Sequence, residues 1–335
     1  MNLKYIYRPI AKDLVQVDSL LNESLKRTRY RSILELNSYL LESKGKGIRP
    51  ALVIISAKAC GQVPATIASA LVKIASAIEL IHVASLVHDD IIDQSALRHH
   101  KPTFNVKFGE DVSIAFGDYL YAIAFELIAS CKNTDILSCI AQASRTLCEG
   151  ELIQVCERDN LSLLKERYLL IVKKKTASFF AASCQVGAIF SQSRKSTQEA
   201  LKEYGFNLGV AFQIIDDCRD LIGSKKKLGK NPGLDFKMGE LTLPVLNLIS
   251  QEPKEKKSII ELLKNQSDER AFRNLSHKFL NSSALEKTKQ EAFLYIQKAK
   301  NSLGNLKDSP YRRSLSALAD YVAIKIDAGY SGYQG

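Results

Sequence analysis

The chain contains 335 residues, of which 46% are apolar and 25% are charged, proportions typical of a folded globular protein. Its 7 cysteines are scattered without a Cys-x-x-Cys pair, which excludes a disulfide framework or zinc site of recognisable spacing, and we expect a cytoplasmic location. The net charge of +11 is compatible with nucleic acid, an acidic membrane surface or a phosphate-rich substrate, but no aromatic residues interleave the lysine runs, which argues against nucleic acid.

Apolar residues recur at steps of three and four along most of the chain, which predicts helices. The predicted ranges are Leu14–Leu25, Ala51–Ala59, Ile67–Ile92, Val112–Ala129, Ile136–Cys156, Leu164–Phe190 and Gln198–Leu221. The alternation typical of strands is absent, so we expect an all-α fold with long antiparallel helices. We predict a single domain over residues 1–335, with more polar helices at about 255–330. No uninterrupted apolar run approaches the roughly 20 residues of a membrane span.

The sequence GKGIRP, at residues 45–50, places two basic residues on a flexible loop that leads into a helix. These residues are Lys46 and Arg49, and Pro50 suits the first helical position. A basic residue taken alone is more often simply solvated. The motif therefore becomes informative only together with the acidic clusters that follow it.

The first acidic cluster, DDIID at residues 89–93, ends an apolar helix. Residues four apart share a helix face, so Asp89 and Asp93 project together. His82 precedes Asp89 by two turns on the same face. One such cluster has an ordinary alternative, which is a solvated acidic helix end.

The second cluster, DDCRD at residues 216–220, repeats this spacing after another apolar stretch. Carboxylates beside apolar sequence are costly unless they are compensated. Hard oxygen ligands suit Mg²⁺, which keeps several waters and shares phosphate oxygens. Two clusters of equal spacing therefore predict a magnesium site that holds a diphosphate.

Further polar residues stand between and after the clusters. Arg98 and His99 follow the first cluster on a polar loop, and Lys175 with Thr176 opens a helical segment. Lys230 follows the second cluster in a glycine-rich stretch. Together with the GKGIRP motif, these residues predict cationic contacts to phosphate groups.

These motifs, in this order, resemble the trans-isoprenyl diphosphate synthases, also called polyprenyl synthetases. The resemblance runs from about residue 36 to 248, through GKGIRP, ELIHVASLVHDDIID, RHHKPTFN, EGELIQ, KKTASFF and GVAFQIIDDCRD. It implies a helical bundle of the isoprenoid synthase type with a central active-site cavity, a homodimer, and Mg²⁺, with three ions at each site. The implied reaction joins isopentenyl diphosphate to an allylic diphosphate such as farnesyl diphosphate.

The resemblance also implies a role for each matching residue. The direct magnesium ligands would be Asp89, Asp93 and Asp216, and those acting through water or a second layer would be Asp90, Asp217 and Asp220. The allylic diphosphate would contact Arg98, Lys175 and Lys230. Isopentenyl diphosphate would contact Lys46, Arg49 and His82. The developing carbocation and the departing proton would be accommodated by Thr176 and Gln213.

The sequence departs from the family pattern at two places. Arg98-His99-His100 stands where the family usually has Arg-Arg-Gly, and the second arginine normally grips isopentenyl diphosphate. We expect weaker or pH-dependent binding there, because His99 is only partly charged near neutral pH. Glu240 stands where many relatives have lysine in a Gly-Lys-x-Thr motif, which we interpret as tolerable variation.

Small residues precede the first cluster where the product chain would begin its path. Ala84 and Ser85 lie five and four residues before Asp89, and aromatic residues tend to stand there in short-chain members of the family. They predict an open tunnel and a hexa- to decaprenyl product, with Ile81 and Phe125 as deeper floor candidates. Alternatively, both residues serve close packing only.

Three other functions stay open: a geranylgeranyl or farnesyl diphosphate synthase, a class I terpene cyclase, and a non-catalytic subunit of a heteromeric synthase. The complete second cluster and the isopentenyl motif argue against the cyclase. Both intact clusters argue against the non-catalytic subunit. The basic charge is also compatible with peripheral membrane contact during product release.

Overall fold

The computed structural model describes residues 2–42, 45–222 and 232–330, and the side chains of these up to residue 325. Its helices are α1 Leu3–Ile6, α2 Ala11–Lys26, α3 Arg31–Leu41, α4 Ile48–Cys60, α5 Ala65–Ile92, α6 Phe104–Phe108, α7 Glu110–Ser130, α8 Thr134–Cys156, α9 Lys165–Val172, α10 Ser178–Phe190, α11 Lys195–Ile222, α12 Leu234–Lys237, α13 Leu243–Gln251, α14 Lys256–Lys264, α15 Glu269–Leu280, α16 Ala284–Ser302 and α17 Pro310–Tyr330. Short 3₁₀ turns lie at Arg8–Ile10 and Pro253–Glu255. The all-α prediction is confirmed, and the predicted ranges end within three residues of the observed helices.

Helix α5 lies at the centre of the bundle, packed against α7, α4 and α2. Helix α10 packs between α4 and α11, and α16 and α17 cover α11 from the C-terminal part of the chain. One hydrophobic core contains residues from Ile6 to Val322. Because α5 meets neighbours on nearly every side, its sequence is apolar all round rather than amphipathic. The single domain over residues 1–335 stays a prediction.

Two helices, α5 and α7, are long and apolar enough to cross a membrane by length and composition alone. A search for uninterrupted apolar runs misses both helices, because polar residues interrupt their apolar stretches. In α5 67% of the most apolar window is buried inside the bundle, against 39% in α7. The apolar character of α5 is therefore explained by burial in the protein core, whereas α7 keeps apolar side chains on the surface.

Three local predictions were wrong. The loop after the first cluster is a small antiparallel hairpin, β1 Leu97–Arg98 with β2 Lys101–Pro102, whose strands are too short to show alternation in the sequence. Helix α4 begins at Ile48, so Pro50 is its third residue rather than its first. The segment Lys173–Ala177 does not open a helix; it is a π-helical turn inside the continuous rod of α9 and α10.

Candidate active site

The two acidic clusters lie at the C-terminal parts of α5 and α11, and Arg98 shows that they approach each other. Burial lowers the pKa of Arg98, but Asp90, Asp89 and Asp216 raise it by more, so the net shift is upward. A single guanidinium thus interacts with carboxylates of both clusters. The two acidic clusters therefore lie in one region of the fold.

Within the first cluster, Asp89 and Asp90 have different surroundings. Asp90 is 3% exposed, and Arg98 grips it with Nε 3.0 Å from both carboxylate oxygens and Nη2 2.8 Å from Oδ1. Burial raises the pKa of Asp89 to about 7, with Glu151 and Asp93 adding to the rise and Lys175 opposing it. Asp90 therefore anchors the hairpin, whereas Asp89 lacks enough positive charge to offset its burial.

Asp217, the inner aspartate of the second cluster, is hydrogen-bonded to neighbouring side chains. Tyr168 donates its hydroxyl to Asp217 Oδ2 at 2.6 Å, and Gln213 donates its amide to Asp217 Oδ1 at 2.8 Å. Thr176 in turn donates to the Gln213 carbonyl oxygen at 2.8 Å. This chain of hydrogen bonds fixes which way the Gln213 amide points. Tyr168 has no counterpart among the residues singled out from the sequence.

The outer members of the second cluster differ from each other as well. Asp220 is 3% exposed, and its Oδ2 accepts the backbone N–H of Asp235 at 3.2 Å. The Asp216 side chain is 37% exposed and lies 3.5 Å from Arg219. Asp216 is therefore the more accessible carboxylate of the two.

Lys175 projects from the π-helical turn toward the first cluster, where it forms an ion pair with the buried Glu151. Burial lowers its pKa, but Asp89, Glu151 and Asp93 raise it by more, so the ammonium stays charged. The turn lies so close to α8 that a Cβ on Gly150 would overlap the backbone of Lys175. The EGELIQ motif therefore carries two requirements that the sequence interpretation missed: a glycine for close approach and a carboxylate for Lys175.

The residues predicted to contact isopentenyl diphosphate also come together. The Arg49 guanidinium lies 4.6 Å from the centroid of the Phe180 ring, and burial lowers its pKa to about 10. Burial, followed by the charges of Arg49 and Arg98, lowers the pKa of His82 well below its ordinary value, so His82 is a neutral imidazole. Burial, Arg98 and Lys46 likewise lower the pKa of His99. Helix α4, helix α5 and the hairpin turn thus bring Arg49, His82 and His99 into the same region.

A buried carboxylate, Glu79, stands beside this group and was not singled out from the sequence. Burial raises its pKa to about 7, opposed chiefly by Arg49. Within the described part of the chain, neither Glu79 Oε2 nor Arg49 Nε has a hydrogen-bond partner. Glu79 therefore compensates the charge of Arg49 through proximity.

His99 and His100 form the two-residue turn of the hairpin, with φ values of 51° and 65°. Both lie in the left-handed region, as a type I′ hairpin turn requires. Glycine at the second position, the usual family residue, adopts this conformation without steric cost, whereas histidine does not. Histidine in place of glycine at position 100 therefore raises the steric cost of the left-handed backbone. Histidine in place of arginine at position 99 removes a permanent positive charge.

The residues predicted to set chain length are mostly buried. Ala84 and Ile81 are fully buried, Ser85 is 7% exposed and donates its hydroxyl to the His82 carbonyl at 2.8 Å, and Phe125 is half-buried on α7. Lys230 lies outside the described residues.

Among residues 2–42, 45–222 and 232–330, no group of three or more His, Cys, Asp or Glu side chains is placed to hold one metal ion. The carboxylates of Asp89, Asp93 and Asp216 nevertheless fit Mg²⁺, because they are hard oxygen donors in a region of excess negative charge. Magnesium usually takes only one or two protein carboxylates and completes its coordination with water and substrate phosphates. Such a site closes only when the diphosphate is present.

A family model described as polyprenyl synthetase matches residues 31–277. The chain belongs to the polyprenyl synthetase family. It is 33% identical to the octaprenyl diphosphate synthase of Escherichia coli strain K12 over 98% of this chain and 100% of that protein. It is also 31% identical to heptaprenyl diphosphate synthase component 2 of Bacillus subtilis strain 168, over 96% of this chain and 90% of that protein.

Solved structures of polyprenyl synthases share the fold. A polyprenyl synthase from Caulobacter crescentus CB15, complexed with calcium and isoprenyl diphosphate, superposes with a TM-score of 0.91 at 34% identity, covering 96% of this chain and 97% of that one. The decaprenyl diphosphate synthase from Rhodobacter capsulatus gives 0.88 at 31% identity, covering 97% and 99%. The protein is therefore a trans-prenyltransferase with the all-α fold of this family, which uses Mg²⁺ and acts on isopentenyl and allylic diphosphates.

Proposed function

We propose that this polyprenyl synthetase condenses isopentenyl diphosphate with an allylic diphosphate such as farnesyl diphosphate, in the 1′–4 trans sense, to a hexa- to decaprenyl diphosphate. The observation that carries the proposal is the convergence of two carboxylate clusters on Arg98, with Lys175 beside the first of them. Relatives named for octaprenyl and decaprenyl diphosphate support a long product. A relative named geranylgeranyl diphosphate synthase, from Methanosarcina mazei and 33% identical, keeps a shorter product open.

The residues of the chain act on two parts of the reaction. Asp89, Asp93 and Asp216 would hold three Mg²⁺ ions, which when bound supply positive charge to the leaving diphosphate. Lys175 and Arg98 add cations at the same place, so negative charge that develops as the allylic bond ionises is stabilised. Asp90 already holds Arg98, and Glu151 already holds Lys175, before substrate binds.

The carbocation and the incoming alkene are handled by different residues. The amide orientation set by Thr176 and Asp217 leaves Gln213 as a fixed dipole near the developing cation. The neutral imidazole of His82 donates a hydrogen bond to isopentenyl diphosphate, while Arg49 and Lys46 supply its charge. Attack of the isopentenyl double bond on the allylic cation leaves a tertiary carbocation. The departing diphosphate takes a proton from this carbocation, which forms the double bond of the new allylic product. Apolar helix walls exclude the water that would otherwise quench the cation.

The direct test is incubation of the purified protein with Mg²⁺, labelled isopentenyl diphosphate and farnesyl diphosphate, followed by separation of the products by chain length. A ladder of polyprenyl diphosphates ending at 30 to 50 carbons, which is what hexa- to decaprenyl means, would support the proposal. A cyclic hydrocarbon formed without isopentenyl diphosphate would identify a cyclase instead.

A second candidate is a subunit that needs a partner chain. The observation that favours it is the 31% identity to a protein named as a component of heptaprenyl diphosphate synthase. A purified chain that is folded, as judged by circular dichroism, and that makes no product alone but does so with a partner from its source cells would establish this second function. Activity of the chain alone rules it out.

Replacing His99 by arginine is expected to strengthen isopentenyl diphosphate binding. Because burial and neighbouring cations lower the pKa of His99 below 6.5, it takes up a proton only below that pH and is neutral at pH 7 to 8. A permanent guanidinium should lower the Michaelis constant for isopentenyl diphosphate about tenfold at pH 8, with the advantage shrinking below pH 6.5 as His99 charges. The measurement is steady-state kinetics at pH 6 and pH 8. His100→Arg adds the same charge one residue away and serves as the control, and an unchanged constant for His99→Arg at pH 8 contradicts the expectation.

Replacing Ala84 by phenylalanine is expected to shorten the product by at least one isopentenyl unit. An aromatic ring about one helical turn from Asp89 would close the path of the growing chain. The matched control is Ala75→Phe, because Ala75 is also fully buried in α5 but nine residues away, on the opposite face. That variant should lower the melting temperature without changing the products. An unchanged product ladder for Ala84→Phe would rule out a tunnel at this position.

A homodimer and a cytoplasmic location with peripheral membrane contact complete the proposal. Exposed apolar side chains on the adjacent helices α7 and α8 support the dimer: Ile114 is 48% exposed and Leu152 is 66% exposed. Sedimentation at micromolar concentration tests it. The net charge of +11 supports contact with acidic lipid during release of the product.

A further inference from the structure

Arg158, in the turn after α8, is a buried cation that the sequence interpretation did not use. Its Nη2 lies 2.7 Å from Asp93 Oδ1 and 3.0 Å from Glu240 Oε1, and its Nη1 donates to the Ile92 carbonyl at 3.1 Å. Only 17% of the Arg158 side chain is exposed. Its guanidinium therefore joins the end of α5 to the loop before α13.

Both carboxylate oxygens of Glu240 accept hydrogen bonds. Its side chain is 9% exposed, with Oε1 accepting from Arg158 Nε at 3.0 Å and Oε2 accepting from the Gln154 amide. The two loops are also joined through the backbone, where Asp159 donates its N–H to the Gly239 carbonyl at 3.0 Å. The Arg158–Glu240 pair is therefore held by further hydrogen bonds on each side, from Gln154 to Glu240 and from Arg158 to the Ile92 carbonyl.

The charges of these residues explain why glutamate is accepted at position 240. Without a cation nearby, a carboxylate at 240 would face the carboxylate of Asp93. Asp93 and Glu240 contact the same nitrogen of Arg158, so a side chain at 240 ends within reach of Asp93. Arg158 supplies, from the neighbouring loop, a cation at the place that a lysine at 240 would reach.

We propose that Arg158 is a positioning residue of the active site: held by Glu240, it directs its positive charge at Asp93. It orients the Asp93 carboxylate before substrate and metal arrive. The inference rests on the proposed role of Asp93 at the diphosphate. It assigns a function to Glu240 as well, which becomes the support of Arg158 rather than neutral variation.

The test compares variants that remove the cation with variants that move it. Arg158→Leu removes the cation that both carboxylates contact, with the Asp93 side chain 21% exposed and that of Glu240 9%, so we expect about a tenfold or greater loss of kcat and a lower melting temperature without metal. Arg158→Leu with Glu240→Gln removes the surplus charge and should restore the melting temperature but not kcat. Arg158→Leu with Glu240→Lys restores a cation facing Asp93 and should bring kcat within about threefold of the original protein.

Binding gives a readout independent of turnover. Titration of inorganic diphosphate in the presence of Mg²⁺, followed by calorimetry, should show weaker binding for Arg158→Leu and for the glutamine double variant, and recovery for the lysine double variant. Arg167→Leu is the matched control, because Arg167 pairs with Glu157 on the surface, where its side chain is 43% exposed. Its kcat and diphosphate binding should match those of the original protein.

Two results would overturn the proposal. One is unchanged kcat and diphosphate binding in Arg158→Leu. The other is equal recovery of kcat and diphosphate binding in the glutamine and lysine double variants. That result would mean that Arg158 only connects the two loops. Either result leaves the prenyltransferase proposal intact, since that one fails only when the original protein makes no polyprenyl diphosphate.

Discussion

Replacing Asp89 by asparagine is expected to lower kcat about a thousandfold while leaving the protein folded, because a carboxylate that we propose binds metal at the leaving diphosphate is lost. Asn is nearly the same size as Asp, so the core around α5 keeps its packing. The measurement is kcat with saturating isopentenyl and farnesyl diphosphates. Asp118→Asn is the control, since the Asp118 side chain is 72% exposed on α7.

The stability of Asp89→Asn without metal distinguishes lost chemistry from lost folding. Burial raises the pKa of Asp89 from 3.8 to about 7, so the folded state disfavours its ionised form. Ionisation of Asp89 therefore lowers the stability of the original protein as the pH rises from 4 through 7, and asparagine has no such group to ionise. In EDTA, Asp89→Asn should melt at the same temperature as the original protein at pH 4 and at a higher one at pH 8. Retention of kcat within tenfold would remove Asp89 from the metal site.

Replacing Lys175 by methionine is expected to lower kcat at least a hundredfold, since the change removes a cation that we propose stabilises the departing diphosphate. The same change leaves Glu151 and Asp89 without their nearest cation, and removing one partner of a buried ion pair costs about 3 kcal/mol or more. A lower melting temperature in EDTA should therefore accompany the kinetic loss. The lower melting temperature has the same cause as the upward shift of the Lys175 pKa, in which the charges of Asp89 and Glu151 outweigh the effect of burial.

The neighbouring lysine offers a close control for this substitution. Lys174 belongs to the same π-helical turn, but it pairs with Glu149, whose side chain is 43% exposed. Lys174→Met should leave kcat unchanged, because surface ion pairs contribute little. Activity should be compared at a temperature well below both melting transitions. If Lys174→Met and Lys175→Met lose activity equally, the loss comes from the turn as a whole and not from a cation at the diphosphate.

The helix ranges and the family could be predicted because they depend on residues close together in the sequence. Apolar periodicity predicted the long helices to within three residues, since helix formation depends on residues three and four apart. The two acidic clusters and the short motifs indicated the family, because the chemistry of a metal-bound diphosphate needs those residues at that spacing. The hairpin after the first cluster escaped prediction, because two histidines with left-handed backbone are not a usual turn signal.

Charge and contact across the fold could not be predicted from the sequence. Arg158 reaches Asp93 over 65 positions of sequence and Glu240 over 82, so only the packed loops show that the departure at 240 has a compensating partner. Burial decides that His82 is neutral and that Asp89 resists ionisation, and burial is a property of all the surrounding helices together. The sequence by itself indicated the family and the groups that we predict carry the chemistry. The tertiary structure decided their charge states and partners, because desolvation and ion pairing depend on distances that chain spacing does not contain.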